Sequence, residues 1–188
     1  TPGMAMDNIS NVIPIAPVAD LGANKRDKLN RRLQLSHEEK LVLVSMGGIT
    51  SRLPMENWPR MDGIKFLVQE NWQVQRADCM VLESLNMSFS DLLASSDALL
   101  CKPGYGSFVE ASGSGIPVLY VDRGDWPESP ALEAWLAQHS ACKKISREQA
   151  EQGDFHAELH SLLQLPRAKN TSPSGAAQVA DWLAQRLA

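Results

Sequence analysis

The stretch that decides the fold runs from Ser96 to Leu132, SDALLCKPGYGSFVEASGSGIPVLYVDRGDWPESPAL. An apolar run from Ala98 to Cys101 breaks at Gly104-Tyr105-Gly106, a helix-forming stretch follows from Ser107 to Ser114, and a second apolar run from Pro117 to Val121 ends in the polar loop Asp122 to Glu128. Two strands joined by a helix run parallel through a right-handed crossover. Both loops, the glycine loop and the polar one, then fall at the carboxyl ends of the strands, where open α/β sheets bind their ligands.

The same alternation extends in both directions. Upstream, Lys40 to Ser45 is a continuous apolar run ending at Gly47-Gly48, followed by apolar runs at Ile64 to Val68 and Cys79 to Glu83; downstream lies Cys142 to Ile145. Helix-like stretches cover Ser90 to Ser95, Ala131 to His139, Arg147 to Gln152 and Phe155 to Leu163, whereas QENWQVQRAD reads as a loop. Short apolar runs alternating with amphipathic stretches predict a doubly wound, Rossmann-like parallel sheet of about six strands with helices on both faces. One domain is expected over residues 1–188, with its core over about 39–165. Before it, Asn24 to Leu35 predicts a helix capped by Asn24 with a basic, solvated outer face. After it, PRAKNTSPS reads as a connector, and a terminal helix over about 173–187 starts at the cap Ser172 with Pro173 in its first turn. Val179, Trp182, Leu183 and Leu187 recur there at helical spacing, so that face is expected to pack back on the domain.

Composition bounds the function. The 188 residues are 44% hydrophobic and 21% charged with a formal net charge of −4, which offers no electrostatic attraction for nucleic acid. No run reaches the roughly 18 to 20 apolar residues of a transmembrane helix, and no signal-peptide pattern opens the chain, so a cytoplasmic protein is expected. Thr1-Pro2-Gly3 before Met4 suggests a longer parent. Cys79, Cys101 and Cys142 lack metal or disulfide spacing and are expected as free thiols. His156 and His160 lie one helical turn apart without the flanking residues of a zinc helix, so no metal is expected.

The chemistry concentrates at the two loops. Gly104 and Gly106 would let a diphosphate approach backbone N–H groups at a helix N-terminus, and Ser107 could cap that helix and bond a phosphate oxygen. The spacing is neither the dinucleotide fingerprint nor a P-loop. Glu110, three residues after Ser107, completes a capping box or accepts the hydroxyls of a ribose; spacing leaves both open. In the polar loop Arg123 could neutralise phosphate, and Asp125 or Glu128 could hold sugar hydroxyls, or the loop is ordinary surface.

KPGYGSFVEASGSGIPVLYVDR resembles the donor-binding signature of inverting, two-domain (GT-B) glycosyltransferases, such as the lipid II N-acetylglucosaminyltransferase and the glucuronosyltransferases. Their H-C-G-W-N-S-x-x-E places Lys102 on the histidine, Tyr105 on the tryptophan and Glu110 on the ribose-binding glutamate, and Gly115-Ile116-Pro117 matches G-V-P. Asp125 and Glu128 fall near the sugar-contacting Asp-Gln pair. The transferase-like domain of some plant sugar kinases, with K-x-G-Y-G-T-x-x-E and R-x-x-x-x-E, is similar in the same places. VLVSMGGIT resembles the opening strand and double-glycine loop of such domains, with Gly47 and Gly48 facing the other domain, and SFSDLLASSD the helix before the signature.

The resemblance implies the C-terminal, donor-binding half of a metal-independent glycosyltransferase. Diphosphate would be held by Lys102, Gly104, Tyr105, Gly106, Ser107 and Arg123, ribose by Glu110, and sugar by Asp125 and Glu128. The substrate would be a nucleotide sugar, first of all a UDP-sugar, with no further cofactor. The general base would belong to an N-terminal acceptor domain, truncated from this chain or carried by a separate subunit. Lys102 for histidine and Glu128 for glutamine depart from the pattern, so base and sugar identity do not transfer. Rival readings are a nucleotide-sugar epimerase half, which shares the fold, and a non-enzymatic nucleotide-sensing or partner-binding domain.

Overall fold

A computed structural model of the chain describes residues 9–47, 52–168 and 173–187. Gly48 and Ser172, the second loop glycine and the expected helix cap, lie outside the described residues.

All six expected strands form: β1 (Lys40–Ser45), β2 (Ile64–Val68), β3 (Cys79–Val81), β4 (Ala98–Cys101), β5 (Val118–Val121) and β6 (Cys142–Ile145). They pair in parallel in the order β3-β2-β1-β4-β5-β6. Alternate residues of each central strand serve opposite faces. Leu41, Leu43, Leu99, Cys101, Val118 and Tyr120 join one buried cluster, and Val42, Val44, Ala98, Leu100, Leu119 and Val121 the other. A strand buried on both sides has no polar alternation, which is why each reads as an unbroken apolar run.

Seven α-helices accompany the sheet among the described residues. The first face is covered by α1 (Arg26–Leu33), α2 (Phe89–Ser95), α3 (Tyr105–Gly113) and α4 (Ser129–His139), through Leu29, Leu92, Leu93, Phe108, Ala111, Leu132 and Leu136. The second is covered by α5 (Arg147–Gln152) and α6 (His156–Leu163), through Ala150, Phe155, Leu159 and Leu162. On that second face β1 and β2 are joined by a one-turn 3-10 helix, Met55–Asn57, and a loop rather than an α-helix. Trp58 fills the space a helix would occupy, edge-on to Phe66 and Phe155 with centroids at 5.3 and 5.0 Å, its indole N–H donating to Ala150 O at 2.8 Å. The stretch after β2 holds only the 3-10 turn Glu70–Trp72, as its sequence suggests.

Two sequence expectations are corrected. The basic helix α1 is not merely solvated. Arg26 pairs with Asp97 and donates to the carbonyl of Glu39 at 2.7 Å, and Arg32 donates to the carbonyl of Leu85 at 2.9 Å. Asp97 also accepts from Leu41 N–H at 2.7 Å, so one carboxylate ties α1 to the starts of β1 and β4. Asn24 does accept from the N–H of Arg26 at 2.9 Å, although the helix proper begins at Arg26. The second correction concerns α7 (Gly175–Leu187), which forms but does not lay its apolar face on the sheet. Trp182 is 38% exposed, Leu187 is 85% exposed, and Gly175 is the buried residue of the helix. Both sheet faces are already covered, so no apolar surface is left for it. Instead α7 meets the segment before α1: Gly175 N–H donates to Pro17 O at 3.1 Å, and Ala16 N–H to Gln178 Oε1 at 2.8 Å.

Candidate functional site

The order of the strands reverses direction between β1 and β4, and the crevice of a doubly wound sheet opens at that point. Ser45 pairs with Cys101 as the last residues of the two strands, so Gly47 and Lys102 leave the sheet side by side. Gly47 turns with φ +72°, a conformation that favours glycine, and the Lys102 side chain runs across it; a Cβ at Gly47 would lie 3.1 Å from Lys102 Cε.

A cavity of about 480 Å³ opens here, lined among others by Met46, Lys102, Val121, Arg123 and Gly124 at the ends of β1, β4 and β5. Arg52 and Arg147 close its other sides. Charge decides what it suits. Arg52 is paired with Glu56 and Arg147 with Glu151, while Asp122 on the rim is paired with Lys144 at 3.2 Å. Lys102 and Arg123 have no carboxylate partner among the described residues. Burial and then the nearby Arg123 push the Lys102 amine below the usual lysine range. Two unmatched, mutually repelling cations over a glycine turn attract an anion of matching charge.

Beside them α3 begins two residues earlier than the sequence suggests. Gly104 holds the N-cap position and Tyr105 is the first helical residue, so Ser107 lies inside the first turn and caps nothing. A glycine cap has no side chain to accept from the helix, and the N–H groups of this turn are left for another acceptor. The capping-box reading of Glu110 falls with it: α3 has no side-chain cap hydrogen bond. Glu110 is half-buried, and burial, then Asp20, hold its carboxyl above the usual glutamate value. Tyr105 is committed elsewhere, its hydroxyl accepting from Val18 N–H at 2.9 Å and donating to Val18 O at 3.3 Å. The segment before α1 therefore crosses the first turn of α3.

The polar loop follows β5. Arg123 reaches back to Pro103 O at 3.4 Å and lies 3.6 Å over the ring of Trp126. Asp125 and Glu128 are exposed and carry no ion pair among the described residues; Glu128 sits at the N-cap of α4. The next residue, Ser129, is buried with its hydroxyl unpartnered among the described residues. Of the expected site residues, Lys102 and Arg123 line the cavity; Gly104, Tyr105, Gly106 and Ser107 lie on the adjoining loop and first turn of α3, Glu110 follows in its second turn, and Asp125 and Glu128 lie on the loop after β5, outside the lining. Arg52 and Arg147 were not singled out by the sequence; their place in the cavity depends on contacts across the sheet, although Arg147 could have been found by applying the strand-end rule to β6. Among the described residues no group of three His, Cys, Asp or Glu side chains is arranged for a metal, and none of the four histidines lines the cavity.

These perturbed groups predict a two-sided pH dependence. A carboxyl whose folded pKa is raised binds its proton more tightly in the folded state, so Glu110 opposes stability at neutral pH and relieves that cost as pH falls through its raised value. If Glu110 accepts ligand hydroxyls when ionised, affinity for a nucleoside diphosphate falls with acidification at a pH above the ordinary glutamate range. Deprotonation of Lys102 lowers it again on the alkaline side, below the ordinary lysine range. Isothermal titration across pH checks this; Glu110→Gln should remove the acid limb alone.

No protein-family model and no curated protein sequence matches the chain. Solved structures do. The glycosyltransferase SnogD from Streptomyces nogalater matches with a TM-score of 0.52 at 15% identity, over 97% of this chain and 52% of that one. The chain has a GT-B glycosyltransferase-like fold. The spinosyn forosaminyltransferase SpnP is similar with a TM-score of 0.54 at 19% identity, covering 80% of this chain and 40% of its own. The crystal structure of a putative UDP-N-acetylglucosamine 2-epimerase from Listeria monocytogenes is similar with a TM-score of 0.56 at 13% identity, over 89% of this chain and 50% of that one. The chain spans about half or less of the length of each of these GT-B-like proteins. No helix among the described residues is long and apolar enough to cross a membrane.

Proposed function

We propose that this chain is the nucleotide-sugar donor domain of an inverting, metal-independent glycosyltransferase, and that it works with an acceptor-binding half. The observation that carries this reading is the pair of unmatched cations, Lys102 and Arg123, beside an uncapped helix start at the switch point, with the half-buried Glu110 five residues farther along α3. In transfer, an acceptor hydroxyl attacks the anomeric carbon and the bond from that carbon to the diphosphate oxygen breaks, its electron pair leaving with the diphosphate. Charge grows on the leaving group, so fixed cations and N–H groups aimed there lower the barrier. Lys102, Arg123 and the first turn of α3 from Gly104 to Ser107 fill that role, Glu110 accepts the ribose hydroxyls, and Asp125 and Glu128 meet the sugar. Tyr105 contributes its position in the turn, its hydroxyl being spent on Val18. The acceptor's proton goes to a base in the other half.

That other half, in the same parent chain or a separate subunit, would face the Gly47 turn and cover the apolar side of α7. The proposed location is the cytoplasm. The epimerase reading shares its fold with one of the matches; such an enzyme draws carboxylates and histidines from both halves, and the lining of this cavity offers no histidine and two carboxylates, Asp122 and Glu151, that are already ion-paired with Lys144 and Arg147. Thermal unfolding against UDP, dTDP, GDP and ADP and their sugars tests the proposal. Stabilisation by one nucleotide series supports it. No response from any of them at millimolar concentration counts against a preformed donor site.

A further inference from the structure

Trp126 is large, apolar and 41% exposed on a loop otherwise made of charged residues, glycine and proline. Its surroundings suggest why it is there. The Arg123 guanidinium carbon lies 3.6 Å above the indole centroid, and an edge of the same group reaches the carbonyl of Pro103, in the loop that carries Lys102, at 3.4 Å. The loop backbone is fixed on both sides of the pair. Gly124 turns with φ +61° and donates to Asp122 Oδ1 at 3.4 Å, Lys144 holds that carboxylate at 3.2 Å, and Ser129 N–H donates to Trp126 O at 3.0 Å.

An unpaired arginine on a surface loop would ordinarily sample many rotamers, and a cation that must be ordered on binding loses affinity in the ordering. Stacking on an aromatic face and donating in the plane of the guanidinium to a carbonyl fix both its orientation and its reach. We infer that Trp126 is a positioning residue for the phosphate site: it holds Arg123 in the cavity, beside Lys102, before any ligand arrives. The inference rests on the diphosphate reading of that cavity and adds to it a residue with no charge and no direct contact with the anion.

Inorganic pyrophosphate is the probe, since it isolates the charge term from base and sugar, with affinities from isothermal titration calorimetry. The wild-type domain binds it. Trp126→Leu binds about two- to fivefold more weakly, the size expected for an exposed cation–π contact, and Trp126→Phe recovers most of the loss. Arg123→Lys keeps the charge but not the planar stack, and loses affinity in the same way even if the leucine variant is poorly folded. In an Arg123→Ala background, Trp126→Leu has no further effect, because its influence passes through the arginine. Equal binding by wild type, Trp126→Leu and Arg123→Lys overturns the inference and leaves the diphosphate site standing. A further loss in the Arg123→Ala background also overturns it, by making Trp126 a direct ligand contact. Failure of the wild type to bind pyrophosphate overturns both the site and the inference.

Discussion

Glu110→Ala is expected to leave the unliganded domain at least as stable as the wild type at neutral pH while removing most of its response to nucleotide. A ligand at about 100 times its dissociation constant adds roughly 2.7 kcal/mol to the folded state. For a domain of this size that raises the unfolding midpoint by about 5–10 °C. Hydrogen bonds to a charged acceptor contribute about 1.5–3 kcal/mol, so at the same ligand concentration the variant should retain about 1 kcal/mol or less of the gain. The unliganded comparison matters equally. The Glu110 carboxyl is half-buried, its ionised form is disfavoured by burial and by Asp20, and it takes no part in a helix cap. Removing it costs the empty domain nothing that the structure shows. A variant that melts early without ligand would make Glu110 structural, and one that responds like the wild type would place it outside the site. Paired differential scanning calorimetry, with and without the nucleotide found in the panel, separates the three outcomes.

A large loss of stability from a small substitution is expected at Gly153→Ala, where backbone conformation and packing act together. Gly153 ends α5 with φ +75°, and a Cβ built there would stand 2.6 Å from Trp58 Cγ. The left-handed conformation costs a side-chain-bearing residue about 1–2 kcal/mol. Moving Trp58 away from Phe66 and Phe155 adds a repacking cost of about 1–3 kcal/mol. A total of about 2–5 kcal/mol lowers the midpoint by about 4–20 °C. Gly63→Ala is the control, because Gly63 has φ +71° with nothing within 4 Å of its Cβ position, so it isolates the backbone contribution. Denaturant unfolding of the two variants checks the difference between them; equal losses would mean that Trp58 yields without cost.

The sheet was legible because strands such as Lys40–Ser45 and Ala98–Cys101 are buried on both faces and need apolar residues at every position. The loop between β2 and β3 was legible for the opposite reason, a polar stretch with no periodicity. Three features were less so. The start of α3 was misplaced because its cap is a glycine, which signals a turn but not which residue begins the helix. The outward face of α7 has the same spacing as a buried one, and nothing local says that the sheet is already covered. The pairing of Tyr105 with Val18 joins residues 87 apart, and that of Arg26 with Asp97 joins residues 71 apart, so neither leaves a local pattern. For the candidate site, the positions of the glycine loop and Arg123 could be read from order at the strand ends, whereas spacing left Glu110 open between a helix cap and a ligand contact. Arg147 was open to the same strand-end rule at β6, whereas Arg52 and the role of Trp126 were not, since each depends on what stands across the cavity or above a ring.

The margins of the sheet bear on edge-to-edge pairing between copies of this domain. An outermost strand presents unpaired backbone groups that can template a strand from another molecule. Here one margin, β3, is three residues long between 3-10 turns, and the other, β6, carries Lys143 exposed and Lys144 on its central positions. A short strand offers few bonds, and the exposed Lys143 repels its own image, Lys144 being paired with Asp122 and Glu133. Edge-to-edge growth into aggregates is disfavoured at both margins of the sheet.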